Sequence, residues 1–358
     1  MKIVQIVPRI PPSIDGVGDY ALNLARQLRK DFDVETYFVI CDTTSTHQAQ
    51  IENFPVIQLS ETSSDELCST LFETGNIIIL HYVGYGYHLR GVPVWLIKAL
   101  ERLKQDSKYK LITMFHEVHT WGTPFWSSSF WLSLLQKKLV KRLSLVSDFC
   151  LTSMKSYAQI IHNLSSNKHR NIPTIPVFST IGEAKETPSL ARRSRKLVVF
   201  GSCSNRKRIY TSSLDSLNQA CRLLDIVEVI DIGRKTGLAL SSFLDVRVSE
   251  LGEMPSSEIS EILEDSLAGL FDYFDGYLAK STIFAAYCAH GVLPISAKIN
   301  LSSLDGIEPN QHYYVPDIQA NLDFSNLTLI AANSHRWYKT HDLKSQASAY
   351  HEILKKCL

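Results

Sequence analysis

Three consecutive cations, Arg206, Lys207 and Arg208, follow the small polar run Gly201-Ser202-Cys203-Ser204-Asn205. Hydroxyl and backbone donors backed by guanidinium and ammonium charge suit a diphosphate, with Ser202, Arg206 and Lys207 as its contacts. The order G-x-x-x-x-G-K-[ST] is missing, so this is not a Walker loop. Cations at the start of a helix oppose its dipole, and an anion would account for them. Lys280-Ser281-Thr282 opens a second helix behind the loop Asp272–Tyr277. Its capping hydroxyls, helix-start amides and ammonium offer another anion contact. Gly16-Val17-Gly18-Asp19-Tyr20-Ala21 matches G-x-G-x-x-A, but Pro8 to Asp15, with three prolines, separate it from the strand before. A dinucleotide fingerprint places its first glycine directly after the strand, which argues against NAD. Two readings remain: a helix start whose small residues let amides of Gly16, Val17 and Gly18 approach an anion, or a plain loop with an Asp15-Gly16 turn.

His116-Glu117-Val118-His119 is H-E-x-H, one residue short of the zinc-protease pattern, and it ends a strand, so zinc is not expected. His81 ends a neighbouring strand. A histidine there faces the crevice of a parallel sheet, where it can hydrogen-bond a substrate hydroxyl or take a proton. Asp31-Phe32-Asp33 could hold a divalent cation but falls at the amino end of the sheet, away from the crevice. Val118 to Gln136 carries no formal charge and holds Trp121, Phe125, Trp126, Phe130 and Trp131; Lys137, Lys138, Lys141 and Arg142 follow. Two readings stay open for residues 121–142: contact with an anionic membrane surface, or a core helix with a basic outer face.

These residues need elements to position them. Lys2–Val7, Val34–Ile40, Ile77–Leu80 and Leu111–Phe115 read as buried strands. Val17–Lys30, Pro93–Leu103 and Ser127–Leu145 read as helices between and after them. Ser179 to Arg195 is polar, contains Gly182 and Pro188, and reads as a linker. The alternation restarts with strands at Lys196–Phe200, Val227–Ile232, Leu267–Asp272 and Val292–Ile295, and helices at Tyr210–Leu223, Ser256–Glu264 and Lys280–His290. The tail from Leu327 to Leu358 reads as helical throughout. The fold class expected is α/β, two Rossmann-like doubly wound parallel sheets. Domains fall at 1–178 and 196–330, with a helix 331–358 returning to the first. Ligands bind such sheets beyond the carboxyl ends of the strands, which also selects Gly252 and Glu253.

The chain has 358 residues, enough for two cores, with 45% hydrophobic and 20% charged residues, which excludes a mainly disordered protein. Lys and Arg number 37 against 36 Asp and Glu, a net charge of +1 that lacks the footprint of a dedicated nucleic-acid binder. The seven cysteines are scattered without Cys-x-x-Cys, which fits a reducing compartment. With no apolar run of membrane-spanning length and no signal peptide, a cytoplasmic protein is expected.

The opening KIVQIVPRIPPSIDGVGDYALNLARQL, His116 after a strand, VVFG at Val198–Gly201 with Arg206 and Lys207, and FAAYCAHGVLPI at Phe284–Ile295 together resemble nucleotide-sugar-dependent glycosyltransferases of GT-B architecture, in particular glycosyl transferases group 1. The resemblance spans most of the chain. It implies retaining transfer from a nucleoside diphosphate sugar, such as UDP-glucose, to a glycan or lipid-linked acceptor in polysaccharide synthesis. No metal is needed, because the cationic groups stabilise the leaving diphosphate. It further implies that the second domain takes the donor, that the first takes the acceptor, and that His116 contacts the donor sugar. Two departures stand out. The family's paired glutamates would fall on Leu278 and Ala286, and its arginine after the glycine is Ser202. The alternatives are a nucleotide-sugar epimerase of the same fold and a non-catalytic nucleotide-sugar binding protein.

Overall fold

The structure is a computed structural model that describes residues 1–13, 15–44, 47–119, 128–240, 245–298, 303–316 and 323–358. The chain divides into two compact units, residues 1–176 with 343–358, and residues 177–342. Among the described residues, no helix is long and apolar enough to cross a membrane.

The first unit runs β1 (Lys2–Val7), α1 (Gly16–Phe32), β2 (Glu35–Ile40), β3 (Gln50–Ile51), β4 (Phe54–Gln58), α2 (Ser64–Thr74), β5 (Ile77–Tyr82), α3 (Gly84–Tyr87), α4 (Val94–Leu103), β6 (Lys110–Phe115), α5 (Ser128–Val146), β7 (Phe149–Thr152) and α6 (Lys155–Leu164). Its sheet has the order β3-β4-β2-β1-β5-β6-β7. All pairs are parallel except β3 with β4. Ile3, Val4, Ile6 and Val7 are fully buried, as a strand covered on both faces requires. The helix α1 buries Ala21, Leu24, Ala25 and Leu28, the face its sequence period marks.

In the second unit follow β8 (Ser194–Phe200), α7 (Cys203–Thr211), α8 (Leu214–Leu223), β9 (Glu228–Ile232), β10 (Arg247–Gly252), α9 (Ser256–Asp265), β11 (Ser266–Phe271), α10 (Thr282–Ala289), β12 (Leu293–Ser296) and α11 (Phe324–Lys339). The five strands are all parallel in the order β10-β9-β8-β11-β12. The segment expected as a linker is packed into this unit. Phe178, Ser179, Leu190 and Arg193 are buried. The Arg193 guanidinium donates to the carbonyls of Pro188, Leu263, Ser266 and His290, which anchors the polar stretch despite its lack of apolar period.

The tail differs from one continuous returning helix. The helix α11 buries Leu327, Ile330, Ala331 and Tyr338 within the second unit, and the Tyr338 hydroxyl donates to Glu183 and accepts from the Ser179 amide. Trp337 packs at 5.5 Å from Phe284. These anchors hold the chain in the second unit through Asp342, so the crossing lies after Asp342 rather than at residue 331. Only the last helix, α12 (Leu343–Lys355), belongs to the first unit, where it packs on α1.

Candidate functional site

Three adjacent strands of the first unit bring a buried polar chain to the carboxyl edge of the sheet. Gln5 in β1 and His81 in β5 are both 0% exposed, and His116 directly follows β6 with its amide bonded to the Tyr82 carbonyl. Gln5 Oε1 lies 2.7 Å from His81 Nε2, and His81 Nδ1 lies 3.2 Å from His116 Nε2. Tyr20 of α1 sets its ring edgewise to both imidazoles, at 5.7 Å from His81 and 5.0 Å from His116. Its hydroxyl donates to Gln346 Oε1 at 2.6 Å, and Gln346 Nε2 donates to the Pro176 carbonyl. Thus α12 braces the ring that braces the histidines. Burial, with His116 alongside, holds His81 well below the usual histidine range, so His81 is neutral.

The glycine loop beside this pair is organised differently from an anion cradle. Asp15 caps α1, and its Oδ1 accepts from the amides of Val17 at 2.8 Å and Gly18 at 3.1 Å. The chain's own carboxylate takes two of the three amides that the sequence offered to a diphosphate, those of Val17 and Gly18. Gly16 has no atom near an added Cβ, whereas a Cβ on Gly18 would stand 2.2 Å from the Arg9 carbonyl oxygen. Gly18 is therefore a packing glycine. Burial and the nearby Asp15 push the Asp19 carboxyl up to about 6.

In the second unit the run after Gly201 is already helix from Cys203, capped by the Ser202 hydroxyl on the Asn205 amide. This places Arg206 inward. Its side chain is fully buried, ion-paired with Asp231, and donates to the carbonyls of Gly201 and Arg234. The assignment of Arg206 to a diphosphate is corrected here: its guanidinium ties together the loops that follow β8 and β9. Lys207 stays exposed. Arg208 faces Asp272, the residue directly after β11. Arg208 Nε lies 3.3 Å from one carboxylate oxygen and Lys298 Nζ, just past β12, 2.9 Å from the other. Asp272 is 1% exposed, whereas the two cations are 44% and 42% exposed. A buried carboxylate thus holds two accessible cations at the carboxyl edge of the sheet. Arg208 was passed over within its cationic run and Lys298 was missed. Reading the residues just past β11 and β12 would have found Asp272 and Lys298.

The remaining residues singled out by sequence are distributed around that edge. Ser281 is buried and caps α10 through the Phe284 amide; Thr282 begins the helix and is partly exposed. The Lys280 ammonium lies 5.6 Å from the Tyr277 ring centre. Gly252 ends β10 with φ of 76°, and Glu253 pairs with Arg234 at 2.8 Å. Leu278 and Ala286, where the related family carries glutamates, are buried apolar residues. Trp121, Phe125 and Trp126 lie outside the described residues.

No family model matches the chain, and no curated protein matches it. Solved structures match it in fold along its length. Sucrose-phosphate synthase from Thermosynechococcus elongatus gives a TM-score of 0.63 at 10% identity, covering 99% of this chain and 98% of that one. The pneumococcal O-GlcNAc transferase GtfA in complex with UDP and GlcNAc gives 0.61 at 9% identity, covering 100% and 99%. An alpha-glucosyltransferase in complex with UDP gives 0.59 at 10% identity, covering 99% of each chain. The chain has the GT-B fold of these glycosyltransferases, two Rossmann-like domains built on parallel sheets.

Proposed function

We propose that the protein is a retaining glycosyltransferase that moves a sugar from a UDP-sugar to a glycan or lipid-linked acceptor. The observation that carries this is the fold match over the full chain to transferases whose structures hold UDP. The donor diphosphate is assigned to the second unit. Arg208, Lys298, Lys207, Lys280 and the first turn of α10 at Ser281 and Thr282 supply its charge and donors, which stabilise the leaving group without a metal. Ser202, Gly252 and Glu253 line the same edge. His116 is assigned to the donor sugar. Calorimetry of UDP in the presence of a chelator, paired with product analysis of UDP-sugar turnover, tests this. Binding plus transfer supports it. Epimerised sugar identifies an epimerase, and binding without turnover a carrier protein.

A lipid-linked acceptor is supported by the outer face of α5. Trp131, Leu134, Leu135, Lys138, Lys141 and Leu145 are all exposed, at spacings that share one helix side. Gln136, on the opposite and buried side of α5, bonds the Tyr85 hydroxyl and the Arg90 carbonyl and so ties the helix to the body of the unit. Apolar groups interspersed with cations fit an anionic bilayer, on the inner face of a membrane for a cytoplasmic enzyme. Vesicles of phosphatidylcholine with phosphatidylglycerol should co-sediment the protein, less so at high salt, and phosphatidylcholine alone should not. Absence of the protein from both pellets overturns the membrane assignment.

A further inference from the structure

We propose that Gln5 and His81 are positioning residues that fix the tautomer of His116, with the proton on Nε2 toward His81 and the lone pair on Nδ1. The proposal rests on the reading of His116 as the residue that acts on the sugar. It adds what that reading leaves open, namely which hydrogen-bonding character the imidazole presents.

The argument follows the chain of contacts from the inside outward. Gln5 is fully buried, and its amide oxygen can only accept. At 2.7 Å it therefore requires the hydrogen on His81 Nε2. Neutral imidazole carries one N–H, so His81 Nδ1 holds a lone pair. His116 Nε2, 3.2 Å away, then supplies the hydrogen between the rings. A second proton on His81 is opposed by complete burial and by His116 itself, so the relay does not invert by protonation at His81. Ring rotation is opposed as well. Tyr20 stands edgewise against His116 at 82° and against His81 at 66°, and the Tyr87 hydroxyl pins the His81 carbonyl at 2.8 Å. The three polar residues come from the adjacent strands β1, β5 and β6, whose register is set by ladder bonds. The lone pair of His116 is thereby fixed on Nδ1. A hydroxyl is the partner such a ring takes, which suits a sugar and does not suit a phosphate oxygen lacking hydrogen.

The test uses the full chain labelled with 15N at histidine. Long-range proton–nitrogen correlation spectra, assigned by loss of signal in His116→Ala, read the tautomer directly. The native protein should show Nε2–H at His116. His81→Phe keeps an aromatic ring and removes the acceptor, so His116 should become a tautomer mixture. Turnover should fall by about tenfold or more, with UDP affinity unchanged. His81→Asn restores an acceptor near Nδ1 and should recover both the tautomer and most of the rate. Should His81→Phe fail to fold, Gln5→Met offers the same readout one step further from the ring. An Nδ1–H tautomer in the native protein, or a tautomer unchanged in both His81→Phe and Gln5→Met, overturns the proposal. Full turnover in His116→Ala instead sinks the catalytic reading of that residue and leaves the tautomer assignment standing, so the two failures are separable.

Discussion

Arg206 and Arg208 lie two positions apart on α7 and perform opposite tasks. Arg206 turns inward, where Gly233 closes over it: a Cβ at Gly233 would meet the Gly201 carbonyl oxygen at 2.8 Å and the Arg206 guanidinium carbon at 3.0 Å. With φ of 136° Gly233 also occupies backbone space that side chains disfavour. Removing one partner of a buried pair leaves the other charge without compensation. Arg206→Ala should therefore destabilise the second unit by about 3–5 kcal/mol, because Asp231 has no route to water. Arg208 is half exposed, and its partner Asp272 keeps Lys298. Arg208→Ala should fold as the native protein does and weaken UDP binding by about 1.5–3 kcal/mol, the scale of a hydrogen bond to a charged group. Thermal melts and UDP calorimetry on both variants separate the roles. A stable Arg206→Ala protein that no longer binds UDP would return Arg206 to the ligand. The sequence could not distinguish the two arginines, since both sit in one cationic run. Inward or outward direction is fixed only by where α7 begins, and the helix starts at Cys203, earlier than the composition suggests.

The start of α1 separates a packing role from a ligand role at the scale of an element. If Gly16 and Gly18 both served a phosphate, alanine at either would damage binding. The backbone says otherwise: Gly16 has open space, and Gly18 is pressed against Arg9 and Ile10. Gly18→Ala should cost about 1–3 kcal/mol as the helix start shifts off that backbone. It should lower turnover as well, because Tyr20 on the next turn braces His81 and His116. Gly16→Ala should leave melting temperature and UDP affinity nearly unchanged. Equal loss of UDP binding in both variants would restore the anion-loop reading. The same helix shows what a sequence makes legible. Lys2–Val7 is observed with the expected bounds, and the strands β2, β5, β6, β8, β9, β11 and β12 stand close to theirs, because burial on both faces leaves continuous apolar runs. The strands β3, β4, β7 and β10 were not read: they are short or half polar, and β10 keeps charged residues on a strand paired on one side only. The helices α2 and α6 carry few apolar residues on their buried faces. The break between α11 and α12 is set by the anchors of Trp337 and Tyr338, which no periodicity reports. Of the candidate site, His116 and His81 were visible as strand-end residues. Gln5 was not, since a lone polar residue inside a hydrophobic strand gains meaning only from its neighbours across the sheet.

At the scale of the whole molecule, the buried histidines set how the protein responds to acid. His290 and His341 are both buried in the second unit, and burial holds each down to about 4. His290 ends α10 with its Nδ1–H donating to the Ala286 carbonyl and its Nε2 paired with the Ser260 hydroxyl at 2.7 Å. The Arg193 guanidinium binds the same residue's carbonyl, so a proton on this ring would place a second positive charge beside a buried first one. In the unfolded chain a histidine titrates near 6.5, so between about pH 6.5 and 4 the unfolded state binds more protons than the folded state. Stability contributed by these rings is complete above pH 6.5 and is lost as the pH falls toward 4, on the order of 2–3 kcal/mol for each histidine. In the first unit Asp19 works the other way. Its carboxyl is raised to about 6, so the stability it contributes at low pH is lost as the pH rises through 6. Acid should therefore destabilise the second unit through these two rings, as it does the first unit through His81. Hydrogen exchange resolved by peptide should show protection in β8, β11 and α10 falling between pH 6.5 and 5. His290→Gln, which removes one titrating ring, should flatten that dependence. Asp19→Asn should leave the second unit's profile untouched and raise first-unit protection at pH 7. An unchanged pH profile in His290→Gln would show that this ring does not set the acid limit.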